Sequence, residues 1–591
     1  MNIAGPNQPD VKPEQKLSDA LDRPHVWIRK LTFNDGTTLN LSSNEIVVIV
    51  GPNNAGKSAV LRETHSRLSG GIRAPTQVLQ DIEFDFTGTP DDAEQWVVNT
   101  GKINKDGNYR IPMIGVFGAR TAYNIWANRV ANGLQSLATL MTVHLNTEAR
   151  LAAANPTDLI NFVNEVPTHP LHRLYDEDEL EARMDDIVQK AFRHNLVVNR
   201  GAGRQVMLHL GERPTPPEGK DRQSSEFRWA VNELPAVHEQ GDGVRAFVGV
   251  LAGVLAANRD VVFIDEPEAF LHPPQANMLG RVLADQTPEG RQLVVATHST
   301  DFLRGILDHS SPRVRVVRIQ RSGKVNYVTE LGPDMVRSVW SDPLLRYSKV
   351  LDGLFHDGVI VCEGDADCRF YGAMLDVVYR GTPGADLALV YGAGKSRIAS
   401  IVRALKSIGV SVRVVVDFDA LSEEAGLQTL VSALGGDWAN LETYARTVRA
   451  AIEQRRAQIS VEDARQEIMA VFDKERGVAL SDQAIRNIRS VLKSGSAWGE
   501  AKRIGKAFVS RGQQLEAYER LASELRRIGL FLVEVGELEG FYPKIGAHGP
   551  AWVTEVLELD LANDPDLAAA REFASMLGRD WPSGSERSIG D

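Results

Sequence analysis

Glu45-Ile46-Val47-Val48-Ile49-Val50-Gly51-Pro52-Asn53-Asn54-Ala55-Gly56-Lys57-Ser58 decides how this chain is read. An apolar run of strand type ends at Gly51. The residues from Gly51 to Ser58 then fit G-x-x-x-x-G-K-[ST] at every fixed position, and Ser58 to Leu68 reads as a helix. A strand feeding a helix through such a loop is the setting that a phosphate cradle needs. Its glycines let backbone N–H groups turn inward, and the helix N-terminus adds partial positive charge. Gly51, Asn53, Asn54 and Gly56 are expected to form the cradle. Lys57 is expected to bridge the β- and γ-phosphates of ATP, with the Ser58 hydroxyl on Mg²⁺.

Working outward, Val26 to Phe33 alternates, Asp35-Gly36 marks a hairpin turn, and Ile82 to Phe86 alternates again. Residues 80–118 read as β-rich and 125–200 as mostly helical. Val261 to Ile264 and Leu293 to Ala296 are short, wholly apolar strands, which suits a sheet covered on both faces. Asp265 and Glu266 end the first of these. Asp265 is expected to hold magnesium through water, and Glu266 to polarise the attacking water. His298 and Ser299 follow the second, where a histidine can contact the γ-phosphate. Arg120 is either a phosphate-facing arginine or a surface ion-pair partner.

The wording of these segments resembles the ABC-type ATPase head of the overcoming-lysogenization-defect (OLD) family, whose relatives include SMC and RecF-like heads. The resemblance implies that two heads sandwich two ATP molecules, with a signature loop reaching across. Gln240-Gly241-Asp242-Gly243-Val244-Arg245 is the matching segment. Asp242 stands where a Ser or Thr would meet the γ-phosphate, and a carboxylate there is repulsive. Slow turnover, or another use of the loop, is expected.

A second chemistry follows. Gly358 to Cys362, Leu387 to Tyr391 and Val412 to Val416 read as buried strands separated by helices, hence a second parallel sheet. Glu363-Gly364-Asp365-Ala366-Asp367 ends the first strand, and Asp417-Phe418-Asp419 ends the third. Parallel strands deliver their C-terminal ends to one edge, so Glu363, Asp417 and Asp419 can converge. Crowded carboxylates without a lysine among them need a divalent cation, and oxygen donors favour Mg²⁺ or Mn²⁺. This pattern resembles the Toprim domain of topoisomerases, primases and OLD nucleases. The resemblance implies acid–base or metal chemistry for Glu363, metal binding for Asp417 and Asp419, and a supporting ligand in Asp367. Val535-Gly536-Glu537-Leu538-Glu539 looks like the family's second acidic element, so Glu537 and Glu539 are expected to hold another metal ion. Many relatives place a lysine near the C-terminus. After Phe541 this chain offers only Lys544, with His548 nearby. Gly392-Ala393-Gly394-Lys395-Ser396 reads as part of the Toprim fold or as a DNA-phosphate contact.

The expected fold is thus α/β: an ABC-type P-loop ATPase domain over 1–345, with a helical segment at about 125–235, followed by a Toprim α/β domain. The Toprim domain is expected over 346–421 and 528–591, interrupted by a helical insertion over 422–527. That insertion carries Arg486, Arg489, Lys493, Lys502, Arg503, Lys506 and Arg511, interleaved with Trp498 and Phe508. The run reads equally as a DNA-backbone surface or as the solvated face of helices.

Bulk properties bound the rest. The 591 residues need several cores. The net charge of −12 argues against a protein that coats DNA without excluding local basic surfaces. Cys362 and Cys368, the two cysteines, exclude a disulfide framework. No apolar run reaches the ~20 residues of a membrane span. Met1 to Asp10 lacks the parts of a signal peptide, so a cytoplasmic location is expected. The family resemblance implies a DNA-cutting, nucleotide-regulated endonuclease. It also implies a homodimer or homotetramer joined through ATPase heads, with a helicase-like partner and an anti-phage role as in Gabija systems. A nucleotide-switched DNA-binding sensor with an inert Toprim domain, or a nuclease directed at RNA such as tRNA, remains open at this level.

Overall fold

The computed structural model describes residues 23–71, 75–104, 107–111, 115–256, 259–308, 313–331, 349–381, 385–392, 395–455, 461–473, 479–485, 487–488 and 497–581. Two compact units divide the chain, Met1–Arg346 and Tyr347–Asp591.

The first unit opens with strands β1 (His25–Phe33), β2 (Thr38–Asn40), β3 (Ile46–Val50) and β4 (Leu79–Thr87). β1 pairs antiparallel with β2 and β4. Short strands β5 (Lys102–Ile103), β6 (Tyr109–Ile111) and β7 (Gly115–Phe117) form a small sheet. β8 (Thr142–Leu145) follows, then β9 (Thr157–Asp158), β10 (Asn195–Asn199) and β11 (Gln205–Gly211), which make a third sheet. β12 (Val261–Asp265), β13 (Gln292–Ala296), β14 (Val314–Ser322) and β15 (Val325–Leu331) complete the unit.

Its centre is a six-stranded sheet of order β15-β14-β3-β13-β12-β8, parallel except for the β14–β15 hairpin. β3 and β13 are buried at every residue, as expected of strands covered on both faces. Parallel pairing aligns the C-terminal ends of β3, β12 and β13, so the loops after Val50, Asp265 and Ala296 meet on one edge.

Two regions each contain an element that the sequence reading did not name. The region 80–118 is not β throughout, because Pro90–Thr100 is a helix. Thr89 and Asp92 form a capping box around it, with Pro90 in the first turn. The region 125–200 is not helical throughout, since Thr142–Leu145 is the edge strand of the central sheet.

In the second unit, β16 (Gly358–Cys362), β17 (Leu387–Tyr391), β18 (Ser411–Val416) and β19 (Leu530–Leu532) form an all-parallel sheet of order β17-β16-β18-β19. Between β18 and β19 the described residues are helical, including Glu424–Ala433, Glu442–Gln454, Ala497–Ile504 and Gln513–Arg527. The excursion thus leaves the sheet at Val416 and returns beside it. Phe370, Tyr371, Phe541, Trp552 and Phe573 pack on the other side of β16 and β19 as an aromatic core. The fold is α/β: a P-loop ATPase unit followed by a Toprim-type sheet with a helical insertion.

Candidate functional sites

The cradle after β3 is shaped by backbone that side chains rarely adopt. Gly51 has φ 145°, Asn54 62° and Gly56 98°. A Cβ at Gly51 would strike the Ile319 carbonyl, and one at Gly56 would lie 2.9 Å from Asn326 Nδ2. Lys57 is nearly buried. Its Nζ donates to the carbonyls of Gly51 (2.8 Å) and Pro52 (2.9 Å), so it lies across the loop. Burial lowers its pKa, against the pull of Glu266, Glu268 and Asp265. Ser58 Oγ donates to Asp265 Oδ1 at 2.8 Å. The two expected magnesium-side groups, 207 residues apart, are therefore in contact.

After β12, Glu266 takes a left-handed backbone, φ 50°. Its N–H donates to the Ala296 carbonyl at 2.8 Å. His298 Nδ1 lies 3.5 Å from Glu266 and 3.2 Å from Glu268. Two groups here have no motif to announce them. Glu268 is buried and accepts from Thr297 Oγ1 (2.8 Å) and the His298 N–H (2.9 Å), which fixes the histidine loop. Burial raises its pKa. Arg150 is fully buried and donates to the carbonyls of Asp265 and Glu266, pinning the strained turn. It stands in a helix just after β8, the strand that sequence patterning missed.

Asp242 begins the helix Asp242–Leu251. A carboxylate suits that N-terminus, and Arg245 Nη1 meets it at 2.9 Å. Part of its charge is thereby compensated within the loop. Arg120 pairs with Glu94 at 2.9 Å and stacks over Tyr123, with its side chain 66% exposed. The ion-pair reading of Arg120 is the one observed.

The second site forms at the C-terminal edge of the Toprim-type sheet. Glu363 follows β16, and Asp417 and Asp419 follow β18. Each offers a carboxylate oxygen within 4.8 Å of the others. The Asp417 N–H donates to Glu363 Oε1 at 3.0 Å, so backbone geometry orients the glutamate. Glu537, Glu539 and His548 form another such group. Gly549 N–H holds Glu539 Oε1 at 2.7 Å, and His548 Nδ1 lies 3.6 Å from the same oxygen. His548 was noticed in the sequence only as a neighbour. These donors, five carboxylates and an imidazole, fit hard divalent cations such as Mg²⁺ or Mn²⁺.

Lys502, read in the sequence only as one member of the basic run on the inserted helices, stands among the acids. Its Nζ lies 2.8 Å from Asp417 Oδ2, 3.8 Å from Asp419 and 3.9 Å from Glu537. The expectation of acids without a lysine is therefore wrong. Burial alone would lower the Lys502 pKa, but Asp417, Asp419 and Glu537 raise it above its ordinary value. Lys544, the lysine expected near the C-terminus, instead pairs with Asp566 in an exposed position.

Asp367 joins neither group of three. Its Oδ2 accepts the Gly364 N–H at 2.8 Å and caps the helix Asp365–Val378. Burial, then the charges of Asp417 and Glu539, pushes its pKa up to about 6. The basic run is also partly absorbed: Lys506 faces Glu519 and Glu534, and Phe508 is buried. Arg486, Arg489 and Lys493, with Ala393 and Gly394, lie outside the described residues, as do the side chains of Lys395 and Ser396.

With this geometry in place, comparison with known proteins is specific. A family model described as "Overcoming lysogenization defect protein-like, TOPRIM domain" matches residues 354–419, which hold Glu363, Asp417 and Asp419. Over those residues the chain is similar to the OLD-like Toprim family. A second model, "AAA domain, putative AbiEii toxin, Type IV TA system", matches residues 217–304, which hold Asp242, Asp265, Glu266 and His298. The Old nuclease of Escherichia phage P2 is 26% identical over 173 residues, 27% of this chain and 28% of that protein. The match thus spans little more than a quarter of that relative. The energy-coupling factor transporter ATP-binding protein EcfA of Carboxydothermus hydrogenoformans is 36% identical over 75 residues, 12% of this chain and 27% of that protein. A solved SMC head bound to the C-winged helix domain of ScpA aligns with 52% of this chain and 98% of its own at 13% identity, with a TM-score of 0.30. Among the described residues no helix is long and apolar enough to cross a membrane.

Proposed function

We propose that this OLD-like protein is a nucleotide-regulated endonuclease that hydrolyses DNA phosphodiester bonds with divalent metal ions, Mg²⁺ or Mn²⁺. The observation that carries the proposal is the convergence of Glu363, Asp417 and Asp419 within 4.8 Å at the sheet edge, with the Lys502 ammonium among them. Glu363, Asp417 and Asp419 would hold one ion, and Glu537, Glu539 and His548 a second. Bound there, such ions neutralise phosphate charge and make water a better nucleophile.

The chain's own residues do the rest. Glu363, held by the Asp417 amide, accepts the proton of the water that attacks phosphorus. Lys502 balances the charge that builds on the phosphate oxygens and on the departing oxygen. Asp367 caps its helix, keeping the loop after β16 in place. In the other unit, Lys57 exchanges its contacts with the Gly51 and Pro52 carbonyls for the β- and γ-phosphates of ATP. Ser58 and Asp265 take the magnesium side, and Glu266 polarises water beside His298. Asp242 reaches the nucleotide of a second head in a homodimer or homotetramer, where its charge keeps turnover slow. A helicase-like partner and a role in anti-phage defence extend the same reading.

Nicking of a labelled DNA duplex in Mn²⁺ tests it. Asp417→Asn and Asp419→Asn are each expected to lower the rate by about 10²–10⁴-fold. Nicking at the parent rate in both variants would remove the proposal.

A further inference from the structure

The strands that present the ATP-side residues have a second end. Asp265 ends β12 and Thr297 follows β13, whereas Arg259-Asp260 and Arg291 precede their N-terminal ends. A five-residue strand separates the two edges by about 16 Å. At the N-terminal edge lies a cavity of about 430 Å³, a size within the range of small-ligand sites. It is lined by Arg23, Arg173, Arg259 and Arg291, with Trp96 and Thr100 among its other walls, and none of its residues belongs to the P-loop.

The charges in this cavity are not evenly matched. Arg23 meets Asp260 at 2.5 Å, and Arg173 holds both oxygens of Glu177, at 2.8 and 2.9 Å. Asp176 is the other carboxylate on the lining and is exposed. Arg259 is 8% exposed and has no carboxylate within ion-pair distance among the described residues. Its Nη1 donates to the Leu140 carbonyl at 3.0 Å, and its buried Nε meets no acceptor. Arg291, 7% exposed, adds a second buried guanidinium and donates to the Val254 carbonyl. Burial, then the charge of Arg23, lowers each to about 10. Buried guanidiniums repel one another, and the one carboxylate that attracts both, Asp260, is already paired with Arg23, which leaves room for a further anion. The fork of N–H groups matches phosphate oxygens, and Trp96, with Ile111, Leu140 and Leu255, offers an apolar wall for a planar ring.

We infer that this cavity is a second nucleotide site, separate from the P-loop, that takes phosphate on Arg259 and Arg291 and the base against Trp96. Because the arginines lead directly into β12 and β13, a nucleotide bound there would press on the strands that carry Asp265, Glu266 and His298. The chain could then sense nucleotide without using the P-loop.

The test uses the full chain carrying Lys57→Ala, so that P-loop binding is suppressed. Binding of ATP, AMP and orthophosphate is measured by equilibrium dialysis. Saturable ATP and AMP binding is expected to persist and to weaken at least tenfold in Arg259→Gln. Thr100, an exposed residue at a helix end, provides a variant that does not disturb the buried wall. Thr100→Glu should weaken binding likewise by charge repulsion, while Thr100→Gln should not. Loss of all saturable nucleotide binding on Lys57→Ala alone would overturn the inference. So would residual binding indifferent to both Arg259→Gln and Thr100→Glu, or orthophosphate binding as tightly as AMP, which would leave a simple anion site.

Discussion

Lys502 is the residue on which the acidic site turns. Three carboxylates share its ammonium, and it comes from a helix outside every recognised motif. Two consequences separate its roles. Without divalent ions, Lys502→Ala leaves the acids facing one another and should destabilise the Tyr347–Asp591 unit. The expected loss is about 1–2 kcal/mol, less than for a fully buried pair because a third of the side chain is exposed. In thermal melts, added Mg²⁺ should restore that loss. DNA cleavage should still fall by about 10²-fold with Mg²⁺ bound, and full activity would contradict its role toward phosphate. Asp367 supplies a pH signature. Its folded pKa of about 6 lies above the ordinary 3.8, so the folded unit binds the proton more readily than the unfolded chain. That contribution to stability is present below the ordinary value and is lost as pH rises through about 6. In EDTA, Asp367→Asn should therefore melt above the parent at pH 7–8, and the difference should vanish near pH 4. A constant difference across that range would show that capping, not charge, dominates. Glu363, Asp417, Asp419 and the Ser58–Asp265 pair were legible because motif and strand end coincide. Lys502, Arg150 and Glu268 were not, because each acts through a contact that spacing along the chain does not encode.

At the scale of elements, two glycines explain why Lys502 arrives where it does. Gly505 ends the lysine's helix with φ 70°, and Gly536 turns the acidic loop with φ 107°. A Cβ on Gly536 would collide with the Lys502 carbonyl, and one on Gly505 with the Glu534 carbonyl. The Lys506 N–H donates to the Glu534 carbonyl and the Phe418 N–H to the Gly536 carbonyl, both at 2.8 Å. Helix, acidic loop and the Asp417–Asp419 turn are thus stitched through backbone alone. Gly536→Ala should push the helix away, costing cleavage about as much as Lys502→Ala while leaving every charged group present. Parent-level cleavage would show that the stitching does not position the lysine. The buried strands β3, β12, β13 and β16, and the half-buried β18, were readable from their apolar runs. β8 was not, because four residues including His144 carry too little pattern and the strand is defined by pairing with β12. The Pro90–Thr100 helix was missed although Thr89-Pro90-Asp91-Asp92 signals a helix start, because alternation in the strand before it was carried too far. Glu537 and Glu539 were legible as an acidic pair, but their grouping with His548 depends on the turn through Gly549.

Across the whole molecule, the same device occurs twice: a parallel sheet whose C-terminal edge gathers acids and phosphate-handling groups. The order of the two was readable from motifs. On the proposed reading nucleotide at one unit alters cleavage at the other, and Asp242, ion-paired to Arg245 at the head of its helix, would suit a slow switch better than a fast motor. The direct measurement is cleavage of supercoiled plasmid in Mg²⁺ or Mn²⁺ across an ATP titration, with the parent, Glu363→Ala and Lys57→Ala side by side. The parent is expected to nick or linearise the plasmid to an extent that changes with ATP. Glu363→Ala should not cut at any ATP concentration, and Lys57→Ala should lose the ATP response. Equal cutting by parent and Glu363→Ala, or an ATP response unchanged in Lys57→Ala, would contradict a nucleotide-regulated nuclease built on these two sites.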